Sequence, residues 1–284
     1  MLQRSTIQLL RFHFSFFLMP VYLFALSQVP QIRVSNALLI FVILHLLVYP
    51  ASNGYNSYMD RDENSIGGIK KPMQPTIELF RTSIAMDCLA VLLSLIISIW
   101  FTIGITAYIL ASRAYSYRGI RLKRYPVTGY LTVVIFQGAV TFFLVYHGSS
   151  TDLTTAVPLA GIIAASLLIG GFYPLTQIYQ HEADRKDGVT TISAMLGYRG
   201  TFFLTGIMYV LAMSCLFYWF TSIHQQINFF ILATAMAPVV VYFFIWFIKV
   251  WKQEAAASFS NTMQMNILAS VCTNAAFLIL LIRR

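Results

Sequence analysis

Carboxylate and amide side chains recur at helical spacing in two places along the chain. Asn56, Asp60 and Asn64 follow one another at intervals of four residues, and Gln180 and Asp184 repeat the first interval. Residues four apart lie on one face of a helix. Their oxygens are hard ligands suited to Mg²⁺, which usually binds through a few carboxylates together with the phosphates of a substrate. Two such helix faces on opposite sides of a cavity would hold phosphate-bound Mg²⁺ between them.

Both groups belong to a passage that occurs twice, 124 residues apart. The positions identical in both copies are Tyr49, Pro50, Tyr55, Asp60 and Arg61, which correspond to Tyr173, Pro174, Tyr179, Asp184 and Arg185. Asn53 and Asn56 correspond to Gln177 and Gln180. The two passages hold six of the ten acidic residues: Asp60, Asp62, Glu63, Glu182, Asp184 and Asp187. A single Asn-x-x-x-Asp pattern usually marks a solvated helix end, but duplication with a flanking Tyr-Pro favours a functional site.

Basic residues follow the first acidic group and recur in a second cluster. Lys70 and Lys71 come shortly after the first passage, and residues 115–126 read YSYRGIRLKRYP. Cytoplasmic loops of membrane proteins are commonly basic, so membrane orientation alone would account for these charges. Lys and Arg are also natural partners of a phosphate chain. Acidic helix faces for a metal and basic loops for a diphosphate form a coherent site.

The composition indicates a membrane protein rather than a soluble domain. Of 284 residues, 58% are hydrophobic and 10% are charged, and apolar stretches of spanning length recur along the chain. We predict an all-α membrane protein forming one domain over residues 1–284, a bundle of about nine transmembrane helices around a central cavity. The predicted spans are 7–27, 35–56, 78–99, 101–115, 127–147, 155–178, 200–222, 227–248 and 263–282. The third and fourth spans are expected to be separated by a turn near Thr102–Gly104.

The distribution of basic residues predicts the orientation of this bundle. With a cytoplasmic N-terminus, 16 of the 19 Lys and Arg residues fall on the cytoplasmic side, and only Arg33, Arg283 and Arg284 fall outside. Both copies of the repeat then end at the cytoplasmic surface, where the cavity is expected to open, and the C-terminus lies outside. The net charge of +9 is explained by this topology and by attraction to anionic membrane lipids, without any nucleic acid.

At these residues the chain resembles the UbiA superfamily of intramembrane prenyltransferases, which has nine helices and two aspartate-rich motifs after helices 2 and 6. Residues 56–64 (NSYMDRDEN) resemble the first motif, and residues 180–188 (QHEADRKDG) resemble the second. Residues 115–123 (YSYRGIRLK) are similar to the pattern that follows the fourth helix in that family. The chain departs from the usual aspartates at Ser57, Asn64 and Gln180, and from a usual basic residue at Gln74.

The resemblance implies transfer of a prenyl group from a prenyl diphosphate donor to a lipophilic acceptor, with Mg²⁺ as cofactor. The acceptor could be a quinone precursor, a porphyrin, a carotenoid or a glycerol lipid. The implied metal ligands are Asn56, Asp60, Asn64, Gln180 and Asp184, and the implied diphosphate ligands are Lys71, Arg121 and Lys123. Tyr115, Asp60 and Asp184 are the expected catalytic residues, with Tyr115 at the reacting centre.

Two other functions remain open. The lost carboxylates at Ser57, Asn64 and Gln180 would suit a relative that binds isoprenoids or lipids without turnover or with altered metal chemistry. A small-molecule transporter is the more distant alternative, because transporters carry ionisable residues deep in several spans. Polarity within the predicted spans is mild here and is confined to residues such as His45, Gln137, Asn266 and Asn274.

Overall fold

The computed structural model describes residues 2–283, and within that range the chain forms nine long helical segments. The first, α1, comprises Arg4–Phe17 and Met19–Gln28, which meet at a bend of 42°. The others are α2 (Val34–Asp60), α3 (Ile77–Ser94), α4 (Ile99–Ser116), α5 (Pro126–Ser149), α6 (Leu159–Lys186), α7 (Ile192–Ser222), α8 (Gln226–Lys252) and α9 (Phe259–Ile282). The predicted all-α architecture is therefore found.

Most of these helices have the length and apolar character of membrane spans. Six of them, α2 and α5 to α9, are long and apolar enough to cross a bilayer, and α1 makes a seventh if its two parts are counted together. The two remaining helices, α3 and α4, have 18 residues each and are more polar. The count of nine transmembrane helices stays a prediction.

The turn between α3 and α4 lies earlier than the sequence predicts. Helix α3 ends at Ser94 and α4 begins at Ile99, so the expected turn near Thr102–Gly104 is wrong. Ser98 causes the break, because its extended backbone (φ −169°, ψ 163°) places its side chain to accept the amide N–H of Phe101 at 3.0 Å. A serine in this position caps a helix N-terminus and defines where the helix starts.

The C-terminal end of α2 also differs from the sequence prediction. The helix ends at Asp60, and Arg61 adopts a left-handed conformation (φ 54°) with its N–H bonded to the carbonyl of Ser57 at 3.0 Å. Asn64 therefore lies outside the helix and is exposed. The prediction that Asn64 continues the helical face of Asn56 and Asp60 is wrong, because the backbone turns away one residue after Asp60.

A small hydrophobic cluster holds the segment between α2 and α3 against the first helix. Ile66 and Ile69 of this segment pack with Leu9, Leu10 and Leu79, and all five side chains are buried. The N–H and C=O groups of the two isoleucines bond to each other, which closes a tight turn. The segment after the first acidic passage is thereby fixed over the end of the bundle.

Helices α5 and α6 approach each other closely at Gly138. This glycine lies in a π-helical stretch of α5 (Val134–Val140), and a β-carbon added to it would lie 2.6 Å from the Cα of Ser166 in α6. No side chain fits at that distance without movement of one helix. The contact therefore sets the spacing of two helices that carry parts of the site described below.

We expect Gly138→Ala to destabilise the protein, because overpacking of this kind costs about 1–3 kcal/mol. In detergent, the apparent unfolding temperature should fall by about 2–8 °C relative to the wild type. Gly206→Ala is the matched control, since a β-carbon there meets no heavy atom within 4 Å. That variant should keep or raise the unfolding temperature, because alanine favours a helix over glycine by up to about 1 kcal/mol. Equal unfolding temperatures for the two variants would contradict the close packing.

Candidate active site

The two copies of the repeated passage face one polar cavity of about 220 Å³. Its walls come from α1, α2, α4, α5 and α6 and from the segments that follow α2, α4 and α6. Of the residues that the sequence singled out, the cavity wall includes Asn56, Asp60, Tyr115, Lys123, Gln180 and Asp184. Residues far apart in sequence are thus brought together at one end of the bundle, as the duplicated pattern predicts.

Asp60 is an enclosed acidic group of this site. Its side chain is 4% exposed and contacts the amine of Lys123 in an ion pair. The amide Nδ2 of Asn56 donates to Oδ2 of Asp60 at 2.6 Å, and Nη2 of Arg121 lies 3.6 Å from Oδ1. Arg121 also forms an ion pair with Asp187. The basic segment after α4 is therefore bound directly to the end of α2.

Asp184 faces the same cavity from the second copy of the repeat. Its Oδ2 is buried and has no hydrogen-bond partner in the described part of the chain. The neighbouring Gln180 donates its amide Nε2 to the carbonyl of Ser65 at 3.3 Å, which ties α6 to the segment after α2. Asp62 also lines the cavity, and burial raises the pKa of its carboxyl group to about 6, with the charge of Asp60 acting in the same direction.

Three residues predicted for the site are not among those that line the cavity. Asn64 is exposed beyond the end of α2, and Lys71 is exposed in the segment before α3. The main-chain carbonyl of Lys71 accepts a hydrogen bond from Gln8 at 3.5 Å. Neither Asn64 nor Lys71 lines the cavity. Arg121 does not line the cavity either, but it contacts Asp60 and Asp187, which do.

The oxygen donors of the site fit Mg²⁺, although residues 2–283 contain no cluster of three His, Cys, Asp or Glu side chains arranged around one point. Oδ1 of Asp60 and Oδ2 of Asp184 are buried without hydrogen-bond partners in that range. Asn56 and Gln180 use their amide nitrogens in protein contacts, which leaves both amide oxygens for a ligand. Mg²⁺ usually binds through one or two carboxylates together with substrate phosphates and keeps several waters, so the two aspartates supply the protein ligands it needs and the amide oxygens are additional donors.

A chain of hydrogen bonds joins Tyr115 to the second repeat copy. The hydroxyl of Tyr115 is bonded to the hydroxyl of Tyr173, and the amide Nε2 of Gln177 donates to the Tyr173 oxygen at 2.8 Å. All three residues line the cavity. Tyr115 from α4 is thus held by α6, next to the two aspartates.

Arg11, Tyr173 and Gln177 line the cavity but were not predicted as site residues. Arg11 is 7% exposed, at a break in α1 where its backbone is left-handed (φ 50°), and its guanidinium donates to the main-chain carbonyl of Asn53 at 3.2 Å. An arginine at the edge of an apolar stretch is a signal of function that could have been used. Tyr173 and Gln177 belong to the repeat, and this membership is the sequence feature that could have identified them as site residues.

A second cavity of about 300 Å³ lies among α1, α6, α7, α8 and α9 and is walled by hydrocarbon. It shares no lining residue with the polar cavity, and α6 separates the two. Phe172 and Leu175 face the apolar cavity, whereas Tyr173 and Gln177 face the polar one. The apolar cavity offers no charged group for a diphosphate.

Comparison with known proteins identifies the family. Residues 15–268 match the model of the UbiA prenyltransferase family. The chain belongs to this family. One relative, the chloroplastic homogentisate solanesyltransferase of Arabidopsis thaliana, is 32% identical over 113 residues. That alignment covers 37% of this chain and 29% of the relative, so the chain matches less than a third of the relative's length.

Solved structures of UbiA homologs share the fold along nearly the whole chain. A UbiA homolog from Archaeoglobus fulgidus, solved with GPP and Mg²⁺, superposes with a TM-score of 0.71 at 18% identity, covering 98% of this chain and 99% of the other. The apo structure of a homolog from Aeropyrum pernix K1 gives a TM-score of 0.70 at 18% identity, covering 94% and 97%. The predicted all-α membrane fold is confirmed, and this UbiA-family chain is an integral membrane protein.

The ion pair between Lys123 and Asp60 predicts competition between the lysine and a divalent cation. Lys123→Met should raise the affinity for Mn²⁺, measured by electron paramagnetic resonance without any diphosphate, because it frees a carboxylate oxygen. It should also weaken binding of inorganic diphosphate by about 10-fold, the effect of losing a hydrogen bond from a charged donor. Lys252→Met is the control, since Lys252 is exposed at the end of α8 and lies outside the cavity wall. Unchanged Mn²⁺ affinity in Lys123→Met would show that the lysine does not compete for the site.

Proposed function

We propose that the protein transfers a prenyl group from a prenyl diphosphate to a lipophilic acceptor within the membrane, with Mg²⁺ assisting loss of the diphosphate. Membership of the UbiA prenyltransferase family supports this reaction class. The observation that carries the proposal is that Asp60 and Asp184 face one cavity, each with a buried carboxylate oxygen that has no hydrogen-bond partner in the described chain. The excess of basic residues in the adjoining segments supports a cavity that opens toward the cytoplasm.

The proposed role of the aspartates is to hold the metal, and that of the basic residues is to bind the diphosphate. Mg²⁺, when bound, would offset the negative charge that develops as the allylic C–O bond breaks. Lys123 lines the cavity beside Asp60 and is placed to bind a diphosphate oxygen. Arg121 adds positive charge from behind Asp60 and fixes Asp187. Lys71 is exposed away from the cavity wall, so we propose no direct role for it in this arrangement.

Tyr115 is proposed to act next to the reacting carbon. Its side chain lines the cavity close to both aspartates, and its hydroxyl is fixed by Tyr173. The face of an aromatic ring stabilises a cation placed over it, and an allylic cation is the species that forms when the diphosphate leaves. Tyr108 and Phe136 extend the aromatic wall on the membrane side and help to exclude water.

A binding protein without turnover is the second candidate. The observation that favours it is that Asp60 already has three partners, Lys123, Arg121 and Asn56, while Gln180 stands where the family usually has an aspartate. A site with fewer carboxylates binds Mg²⁺ less strongly. Such a protein would still bind a prenyl diphosphate in the polar cavity.

We expect Asp60→Asn and Asp184→Asn each to reduce Mg²⁺-dependent diphosphate release from GPP by at least about 100-fold, as for loss of a preorganised charge at a reacting centre. The assay uses protein reconstituted with a total membrane lipid extract as the acceptor source. Mass spectrometry of the lipids should show a species that has gained one prenyl mass. Asp152→Asn is the matched control, because Asp152 is exposed in the segment between α5 and α6.

The outcomes separate the two candidate functions. Diphosphate release at the wild-type rate in both aspartate variants would overturn the mechanism. Tight Mg²⁺-dependent binding of GPP by the wild type, with neither release nor a prenylated lipid, would identify a binding protein. Loss of release together with loss of the prenylated lipid in the two variants, but not in Asp152→Asn, would support the transferase.

A further inference from the structure

A pair of carboxamides forms a second level of the polar cavity. Asn53 and Gln177 are equivalent in the repeat and precede Asp60 and Asp184 by seven residues each. At a rise of 1.5 Å per residue, both lie about 10 Å further along their helices, toward the interior of the bundle. Both line the same cavity as the aspartates. The repeat therefore builds one level of carboxylates and a deeper level of amides.

Each carboxamide has one buried polar atom without a partner in the described chain. For Asn53 the atom is Nδ2, a hydrogen-bond donor, and for Gln177 it is Oε1, an acceptor. An unpaired buried polar group destabilises the folded state, so native proteins rarely leave two of them in one cavity. The two atoms are complementary, since one lacks an acceptor and the other lacks a donor.

Hydrogen bonds fix the amide of Gln177 and the main chain of Asn53. Gln177 is 7% exposed, and its Nε2 donates to the hydroxyl of Tyr173 at 2.8 Å, which determines where Oε1 lies. The main-chain carbonyl of Asn53 accepts from Arg11 at 3.2 Å. Beside Asn53, Ser112 of α4 donates to Ser52 at 2.9 Å, and both serines line the cavity. Most of the polar groups at this level are therefore uncharged, and the guanidinium of Arg11 is directed to main-chain oxygens.

We propose that Asn53 and Gln177 bind the hydroxyl group of an uncharged acceptor. This inference rests on the proposed transferase function and adds the chemical class of the acceptor. A hydroxyl group accepts a hydrogen bond from Nδ2 of Asn53 and donates one to Oε1 of Gln177, so a single ligand group satisfies both atoms. Phenols, hydroquinones and lipid alcohols share this chemistry.

The charges of the cavity disfavour an acceptor with a carboxylate head. The cavity is lined by four carboxylates (Asp60, Asp62, Asp184 and Asp187) and by two cations (Arg11 and Lys123). Lys123 is paired with Asp60, and Arg11 donates to main-chain carbonyls. A second anion beside the diphosphate would meet this negative field in a site of low dielectric constant, where like charges repel strongly.

Three amphiphiles with the same hydrocarbon tail test the head-group preference: 4-hexylphenol, its methyl ether 4-hexylanisole, and 4-hexylbenzoate. Binding is measured calorimetrically on protein in neutral lipid nanodiscs, with the signal of empty nanodiscs subtracted. We expect the phenol to bind at least about 5-fold more tightly than either analogue, as for loss of one hydrogen bond or burial of a charge. Equal or tighter binding of the ether or the benzoate would overturn the proposal.

Two isosteric variants assign the binding to the carboxamides. Asn53→Asp replaces the unpartnered donor by an acceptor and should weaken binding of 4-hexylphenol by about 3- to 10-fold. Gln177→Met is close in size, removes the acceptor oxygen and should weaken binding by a similar factor, because the hydroxyl group then lacks its acceptor. Gln225→Met, in the segment between α7 and α8, and Asn228→Asp, in the first turn of α8, are the matched controls and should bind as the wild type does. Wild-type affinity in Asn53→Asp would contradict the assignment.

The failure of this inference is distinguishable from failure of the proposed function. Diphosphate release from GPP is measured separately on the same wild-type preparation. Release without a preference for the phenol would keep the transferase and reject the acceptor class. Preference for the phenol without release would keep the carboxamide site and indicate a binding protein.

Discussion

The architecture depends on one buried carboxylate at the end of α2. The side chain of Asp60 is 4% exposed, and an unpaired carboxylate in such a place costs several kcal/mol. Lys123, Arg121 and Asn56 supply the compensating charge and hydrogen bonds. Asn56 belongs to α2 itself, whereas Lys123 and Arg121 belong to the segment after α4. Compensation of the Asp60 charge therefore binds this segment to the end of α2. For the same reason Asp60 is a suitable ligand for a divalent cation, whose charge would replace part of the charge that these partners supply.

The segment after α4 reaches Asp60 because the side chain of Arg118 bonds this segment to the same helix end. Arg118 donates to the carbonyl of Met59 at 2.8 Å, and Arg121 adopts a left-handed conformation (φ 52°) that redirects the chain toward Lys123. Arg121 then bridges Asp60 and Asp187, the last acidic residue of the second copy of the repeat. A charge network thus connects the ends of α2, α4 and α6. Apolar packing sets the distance between helices, and this network sets the geometry at the mouth of the cavity.

Much of the fold could be predicted because hydrophobic stretches and basic segments alternate along the chain, but details of the site could not. The end of α2 was missed because Arg61, rather than a glycine, takes the left-handed position after Asp60, so the sequence carried no stop signal before Asn64. Arg11 was missed because its burial depends on the segment after α2, where the carbonyl of Gly67 lies 3.5 Å from its guanidinium. The first miss concerns a local backbone conformation that the residue type does not signal, and the second concerns a contact between distant parts of the chain, which local spacing does not encode.

The repeat shows why similar sequences acquire different tasks in one bundle. Tyr49 and Tyr173 are equivalent, yet Tyr49 packs against His45 and Tyr108, whereas Tyr173 lines the cavity and bonds to Tyr115. The difference lies in the neighbours, because α4 places Tyr108 beside the first tyrosine and Tyr115 beside the second. At the positions closer to the mouth, both copies keep their polar groups in the cavity, which is lined by Asn53 and Asp60 from the first copy and by Gln177 and Asp184 from the second. The two copies of the duplicated helix end thereby form two walls of one site. Contacts with the third wall, α4, determine which of the two tyrosines belongs to the site.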